Sequence, residues 1–204
     1  QGTDRPGRFH DAGPGQKSAF SETDWHQLEK DRFARDLADR LYHATRAAEE
    51  NLAREGLLSR ARRLGDVTVD AVRPFLDVRS GDDPDVTALA GDRPFALLTL
   101  HRAENTDDPP RLRRLWEAVN SLDRTVVFPA HPRTVKAVRD LGLPPGPRLR
   151  MIEPVGYPAM LRLLRRASLL LTDSGGLQKE AAILATPCVT LRTETEWVET
   201  VASG

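Results

Sequence analysis

The chain is poor in sulfur and in aromatic rings. Of its 204 residues one is cysteine, Cys188, and 5% are Phe, Trp or Tyr. A lone cysteine excludes an internal disulfide, and the apolar neighbours of Cys188 mark it as a small core residue of a protein kept in a reducing cytoplasm. Scarce rings argue against a surface that stacks nucleobases. An excess of either charge is also missing. Thirty Lys+Arg stand against 30 Asp+Glu, a formal net charge of +0, so no overall field gathers nucleic acid or an anionic membrane. Mean hydropathy is -0.47, no apolar run is long enough to span a bilayer, and no signal-like apolar core opens the sequence. No His/Cys group has metal-ligand spacing, so no metal is expected.

What is present is alternation. Residues 1–20, rich in Gly, Pro and charge, are expected to be loop or disorder. Residues 21–60 are expected to be helical, with Leu28, Phe33, Leu37, Leu41, Ala44 and Ala48 recurring near helical spacing and Gly56 as a stop. Residues 61–204 are expected to form an α/β domain. It opens with a short strand and turn at Leu64-Gly65-Asp66-Val67 and continues through a polar linker over residues 80–93. Apolar strands at 95–100, 125–128, 149–152, 168–172 and 188–191 then alternate with helical patterns at 110–121, 134–141, 157–167 and 175–185. Strand–helix alternation of this length implies a Rossmann-like parallel sheet wound by helices, with its ligand beyond the carboxyl ends of the strands.

The segments that follow those strand ends carry the chemistry. They contain His101 and Arg102, then His131, then Ser174-Gly175-Gly176, then Arg192, Glu194, Glu196 and Glu199. In Leu169–Glu180 an apolar strand stops at small residues and a helix begins at once. That geometry aims unpaired N–H groups and a helix dipole at an anion. Gly175 and Gly176 let a diphosphate approach the backbone. Ser174 can cap the helix or bind phosphate, and Glu180 can accept from a sugar hydroxyl. An ordinary Ser-capped turn without ligand is the competing reading of this one segment. Loading of a single sheet edge with His, Arg and Glu favours a bound-anion site. His131, flanked by Pro132, can equally shape a turn. The acids near 194–199 suit a helix start, and Arg111, Arg113 and Arg114 are expected on a solvated helix face.

Four segments carry a family resemblance: Thr99-Leu-His-Arg-Ala-Glu-Asn105, Phe128-Pro-Ala-His-Pro-Arg-Thr134, Thr172-Asp-Ser-Gly-Gly-Leu-Gln-Lys-Glu180 and Leu191-Arg-Thr-Glu-Thr-Glu196. In order and spacing they resemble the UDP-N-acetylglucosamine 2-epimerases, from about Ser21 onward. The resemblance implies the second domain of a two-domain, GT-B-like fold with a UDP-sugar in the cleft, residues 21–60 closing the first domain. It implies interconversion of UDP-GlcNAc and UDP-ManNAc by anti elimination and re-addition of UDP, or hydrolysis to ManNAc in some relatives, and no cofactor. The product would feed surface polysaccharide. Ser174, Gly175, Gly176 and Glu180 would hold diphosphate and ribose, Arg192 would lie near the phosphates, and His101 would sit beside the departing diphosphate. Arg102 and His131 resemble positions of a regulatory UDP-GlcNAc site. The family's carboxylates are only echoed, by Glu22 in Phe20-Ser21-Glu22 and Asp11 in His10-Asp-Ala-Gly13. The chain is therefore expected to be cut at both ends, and to be a homodimer, a subunit needing a partner that supplies the first domain, or a silent UDP-sugar-binding module.

Overall fold

A computed structural model describes residues 37–75 and 93–202, with Ala88 and Ala90 between them. The N-terminal loop, the first half of the expected helical segment, Asp11, Glu22 and most of the expected linker lie outside the described residues. The chain divides into two compact units, 1–65 and 66–204. The break falls a few residues beyond the expected boundary at 60.

In the first unit, helix α1 (Arg46–Arg54) begins where the Thr45 hydroxyl accepts from Ala48 N–H at 3.1 Å. It ends at Gly56, whose φ of +75° is the left-handed conformation that suits glycine after a helix. The helical expectation fails at Leu41–His43. That segment is strand β1, paired in parallel with β2 (Ala61–Arg63). Three residues are too few to show a period of two, and the pairing joins positions 20 apart, so local pattern could not reveal it. The short strand expected near Leu64 lies just before it, as β2, which ends at Arg63, and Asp66 caps the following helix.

The second unit opens with that helix, α2 (Val67–Val72), where Asp66 Oδ1 accepts from Thr68 N–H at 2.9 Å. Strands β3 (Phe95–Thr99), β4 (Thr125–Pro129), β5 (Leu149–Ile152), β6 (Leu169–Thr172) and β7 (Cys188–Thr190) form one sheet in the order β5-β4-β3-β6-β7. Every pairing is parallel. Between them run α3 (Ala103–Thr106), α4 (Pro109–Asn120), α5 (Pro132–Asp140), α6 (Tyr157–Arg166) and α7 (Gly175–Ile183), and α8 (Val198–Ala202) follows β7. Pro in the first turn of α4, α5 and α6 is preset for helix and sacrifices only an N–H that has no intrahelical partner.

The central strands β3, β4 and β6 are largely apolar because both faces are covered. Along β3 the pleat sends Phe95 and Leu97 to a core shared with Leu161 and Leu164 of α6 and Ala181 of α7. It sends Ala96 and Leu98 to the opposite core, with Leu112 and Trp116 of α4 and Val138 of α5. Each such Leu or Phe, shielded from water, contributes about 2 kcal/mol. Cys188 departs from expectation: it is exposed, because β7 is an edge strand among the described residues and Val189 beside it is 47% exposed. No described helix is long and apolar enough to cross a membrane. The chain builds β3, β4 and β5 outward in one direction and then returns to lay β6 on the other side of β3. The direction of strand order therefore reverses between β3 and β6, which is where such sheets open a crevice.

Candidate functional site

Two segments leave the sheet at this crevice, and a buried carboxylate ties them together. Asp173, directly after β6, has a fully buried side chain. Its Oδ2 accepts from the backbone N–H of His101 at 2.9 Å, the backbone N–H of Arg102 at 2.8 Å and Asn105 Nδ2 at 3.1 Å. Its Oδ1 faces His101 Nδ1 at 2.9 Å and has no other partner among the described residues. Burial alone would raise the Asp173 pKa. The hydrogen bonds from His101, Arg102 and Asn105 outweigh it and hold the carboxyl below the usual range. His101 is thus oriented through Nδ1. Thr99 and Thr172, at the ends of β3 and β6, join their hydroxyls at 2.5 Å beneath this pair.

Beside it, α7 begins. Ser174 caps the helix, its Oγ 3.4 Å from Leu177 N–H, and its own N–H donates to Thr172 Oγ1 at 2.9 Å. A Cβ on Gly175 would stand 2.7 Å from Glu196 Oε1 and 3.2 Å from Trp197 Nε1, so a methyl there would push the Glu196 carboxylate aside. At Gly176 a Cβ would meet only Ser174 Oγ, at 3.9 Å. Nothing among the described residues requires that second glycine. Between the two segments lies a concavity of about 230 Å³ lined by Thr99, His101, Pro129, His131, Ser174 and Leu177 among others. His131 caps α5, its Nδ1 accepting from Arg133 N–H at 3.2 Å, and its ring lies 6.2 Å from that of His101.

Arg192 and Glu180 lie outside that concavity. The Arg192 side chain is 11% exposed, with Nη1 donating to Glu196 Oε2 at 2.7 Å and Nε 3.4 Å from Glu104 Oε1. Burial would lower its pKa, but Glu196 and Glu104 raise it, so the guanidinium stays charged. Glu196 therefore rests one oxygen on Arg192 and turns the other toward Gly175. Its pairing with Arg192, more than any helix dipole, accounts for this acid. The segment carrying these residues is hung on α7, where Thr195 Oγ1 donates to Gln178 Oε1 at 2.7 Å and Lys179 Nζ lies 4.3 Å from the centre of the Trp197 ring. Glu180 is buried, which raises its pKa, and the Tyr157 hydroxyl hydrogen-bonds its carboxyl group. That phenol is in turn pushed up to about 12 by burial and by Glu180.

Of the residues singled out from sequence, His101, Arg102, His131, Ser174, Gly175, Gly176 and Arg192 all stand at the carboxyl edge of this sheet, and Glu180 lies one turn and a half into α7. Asp173 and Asn105 were within the quoted motifs but had no assigned role. The signal for Asp173 was available: a carboxylate directly after a buried apolar strand must find strong donors. Nothing local pointed to Trp197. Among the described residues no cluster of three or more His, Cys, Asp or Glu could hold a metal ion.

A family model described as UDP-N-acetylglucosamine 2-epimerase matches residues 32–204, and one described as a protein required for attachment to host cells matches residues 1–52. Asp11 and Glu22 fall only within the second. Among curated relatives, the UDP-2,3-diacetamido-2,3-dideoxy-D-glucuronate 2-epimerase of Pseudomonas aeruginosa is 45% identical over 174 residues, 82% of this chain and 48% of the relative. The UDP-N-acetylglucosamine 2-epimerase of Methanocaldococcus jannaschii is 38% identical over 181 residues, 82% of this chain and 49% of the relative. The crystal structure of the M. jannaschii enzyme with UDP-GlcNAc and UDP superposes with a TM-score of 0.75 at 36% identity, covering 88% of this chain and 51% of that one. The S. aureus MnaA–UDP structure gives 0.72 at 27% identity, covering 84% and 48%. The chain spans about half the length of the curated relatives it matches.

Proposed function

This chain belongs to the UDP-N-acetylglucosamine 2-epimerase family, and from that premise we propose that residues 66–204 are the nucleotide-gripping half of a UDP-sugar 2-epimerase. One observation carries the proposal: the Asp173-held imidazole of His101 and the N-terminus of α7 stand side by side on the central strands β3 and β6, at the sheet's switch point. An imidazole next to an anion-binding helix start suits a leaving diphosphate.

In the proposed reaction a base takes the C2 proton of UDP-GlcNAc, the C1–O bond breaks, and its electron pair departs on UDP. The UDP oxygen then adds back to C1, and C2 receives a proton on the opposite face, giving UDP-ManNAc with no change in oxidation state. Ser174 and the N–H groups of Gly175 and Gly176 meet the diphosphate, with Arg192 released from Glu196 and Glu104 to join them. His101, held through Nδ1, uses Nε2 to stabilise the charge that gathers on the departing oxygen. Glu180 takes the ribose hydroxyls, and Arg102 and His131 contact the sugar nucleotide from the same edge. No carboxylate lines the concavity among the described residues. The C2 base is proposed to come from outside this concavity, with Asp11 and Glu22 the candidates within this chain and a partner chain the other source. A specific observation favours a second substrate: 45% identity to the diacetamido-glucuronate enzyme, against 38% to the M. jannaschii enzyme. UDP-2,3-diacetamido-glucuronate presents the same C1 diphosphate and 2-acetamido group to the same residues.

Gly176→Ala tests the site. Ala exceeds Gly in helix propensity by up to about 1 kcal/mol, and its methyl has room within the chain, so Tm should hold or rise. UDP affinity by calorimetry should nevertheless fall about tenfold, ~1.4 kcal/mol, because the methyl occupies the phosphate's approach. Unchanged affinity would remove the diphosphate from α7.

A further inference from the structure

We infer that Arg111, on α4 and outside the concavity, is a positioning residue for His101, acting through Asn105 and Asp173. The expected place of Arg111 on a solvated face does not hold. Its Nε donates to Asn105 Oδ1 at 2.6 Å, while its neighbour Arg113 reaches away to the Leu141 carbonyl at 3.2 Å. Asn105 is fully buried, and every polar group of its side chain is used. Its Nδ2 gives one proton to Asp173 Oδ2 at 3.1 Å and the other to the Leu191 carbonyl at 3.0 Å.

Those partners determine which way the amide lies. A guanidinium can only donate, whereas the Asp173 carboxylate and the Leu191 carbonyl can only accept. Turning the amide over would set its oxygen against two acceptors and its NH2 against a cation. Arg111 supplies the one donor that marks the oxygen side. With the amide locked, Asp173 Oδ2 is saturated by three N–H donors, and Oδ1 is left for His101 Nδ1 at 2.9 Å. The imidazole proton is thereby drawn to Nδ1 and Nε2 is left facing outward. Arg111 also stands in the first turn of α4, where a helix dipole disfavours a cation, so helix stability does not explain it.

The lock rests on geometry alone, and only its consequence for UDP depends on the function proposed above. The whole chain, labelled with 15N histidine, is examined by long-range 1H–15N spectra, with His101→Gln identifying the His101 signals. Wild-type His101 should be chiefly the Nδ1–H tautomer when neutral. In Arg111→Met the ratio of the two tautomers should change at least threefold with Tm near that of wild type, while Arg113→Met leaves the signals in place. If Arg111→Met fails to fold, Arg111→Gln is the milder variant and should move the same signals in the same direction. Unmoved His101 signals in the folded Arg111 variant, or equal shifts in the Arg113 variant, overturn the inference. UDP titration separates the two proposals. A tautomer change with full UDP affinity upholds the positioning and takes His101 away from the diphosphate. Weakened UDP binding with an unchanged tautomer overturns the positioning and leaves the site standing.

Discussion

At the scale of single residues, Asp173 bears the greatest burden. It gathers three N–H donors and an imidazole while fully buried, so substitution leaves those donors facing a weaker or mismatched acceptor. Asp173→Asn should cost about 2–4 kcal/mol of stability in urea unfolding at pH 7. The sign with pH follows from its lowered pKa. Stability from Asp173 is complete above the unfolded carboxylate value near 3.8 and drains away as pH falls through the lower folded value. Asp173→Asn should lose that part of the acid limb, which urea midpoints from pH 5 downward would reveal. Much of this residue-level picture was legible in the sequence. His101 and Ser174 follow apolar runs, and a parallel sheet must put both at one edge. Asn105 and Arg111 were not legible, because their meaning lies in bonds to residues 68 and 6 positions away.

Among the elements, α7 does the most. Its start faces the concavity, and its second turn carries Gln178 and Lys179, which hold the segment of Thr195 and Trp197. Lys179 also bonds Asp66 Oδ2 at 2.6 Å and Thr68 Oγ1 at 3.1 Å at the head of α2. Burial would raise the Asp66 pKa, but hydrogen bonds from Lys179 and Thr68 lower it to about 2. Lys179→Met should cost about 1 kcal/mol at pH 7, from an ion pair near the surface and a cation over a ring, and should change the emission of Trp197. The Asp66 contribution fades as pH falls from near 3.8 toward 2, so wild type and variant should converge in Tm over that window. Helices α4, α5, α6 and α7 were legible to within two residues, whereas α3, only four residues long, carries no helical period of its own. Strands β1 and β2 were hidden by their shortness, and Cys188 was misplaced because an apolar run does not say whether its strand lies inside a sheet or at its edge.

At the largest scale, the sheet of the second unit gathers the candidate residues at one edge. The sheet order, with its reversal between β3 and β6, is what unites His101 with Asp173; strand–helix alternation anticipated the parallel sheet and its loaded edge, but not this order. The base for C2 was not legible in the same way, since Asp11 and Glu22 lie outside residues 32–204, where the epimerase model matches. Incubated alone with UDP-GlcNAc in deuterated water, the chain should bind UDP yet leave the C2 proton unexchanged. Deuterium at C2 would show that this polypeptide carries its own base. The edge that β7 forms among the described residues has a practical consequence as well. Cys188 is the single thiol in the chain and is exposed on β7, so one maleimide dye labels one known place. Whatever strand comes to cover that edge, from a second polypeptide or another copy, would announce itself as quenching or as protection of that thiol from the reagent.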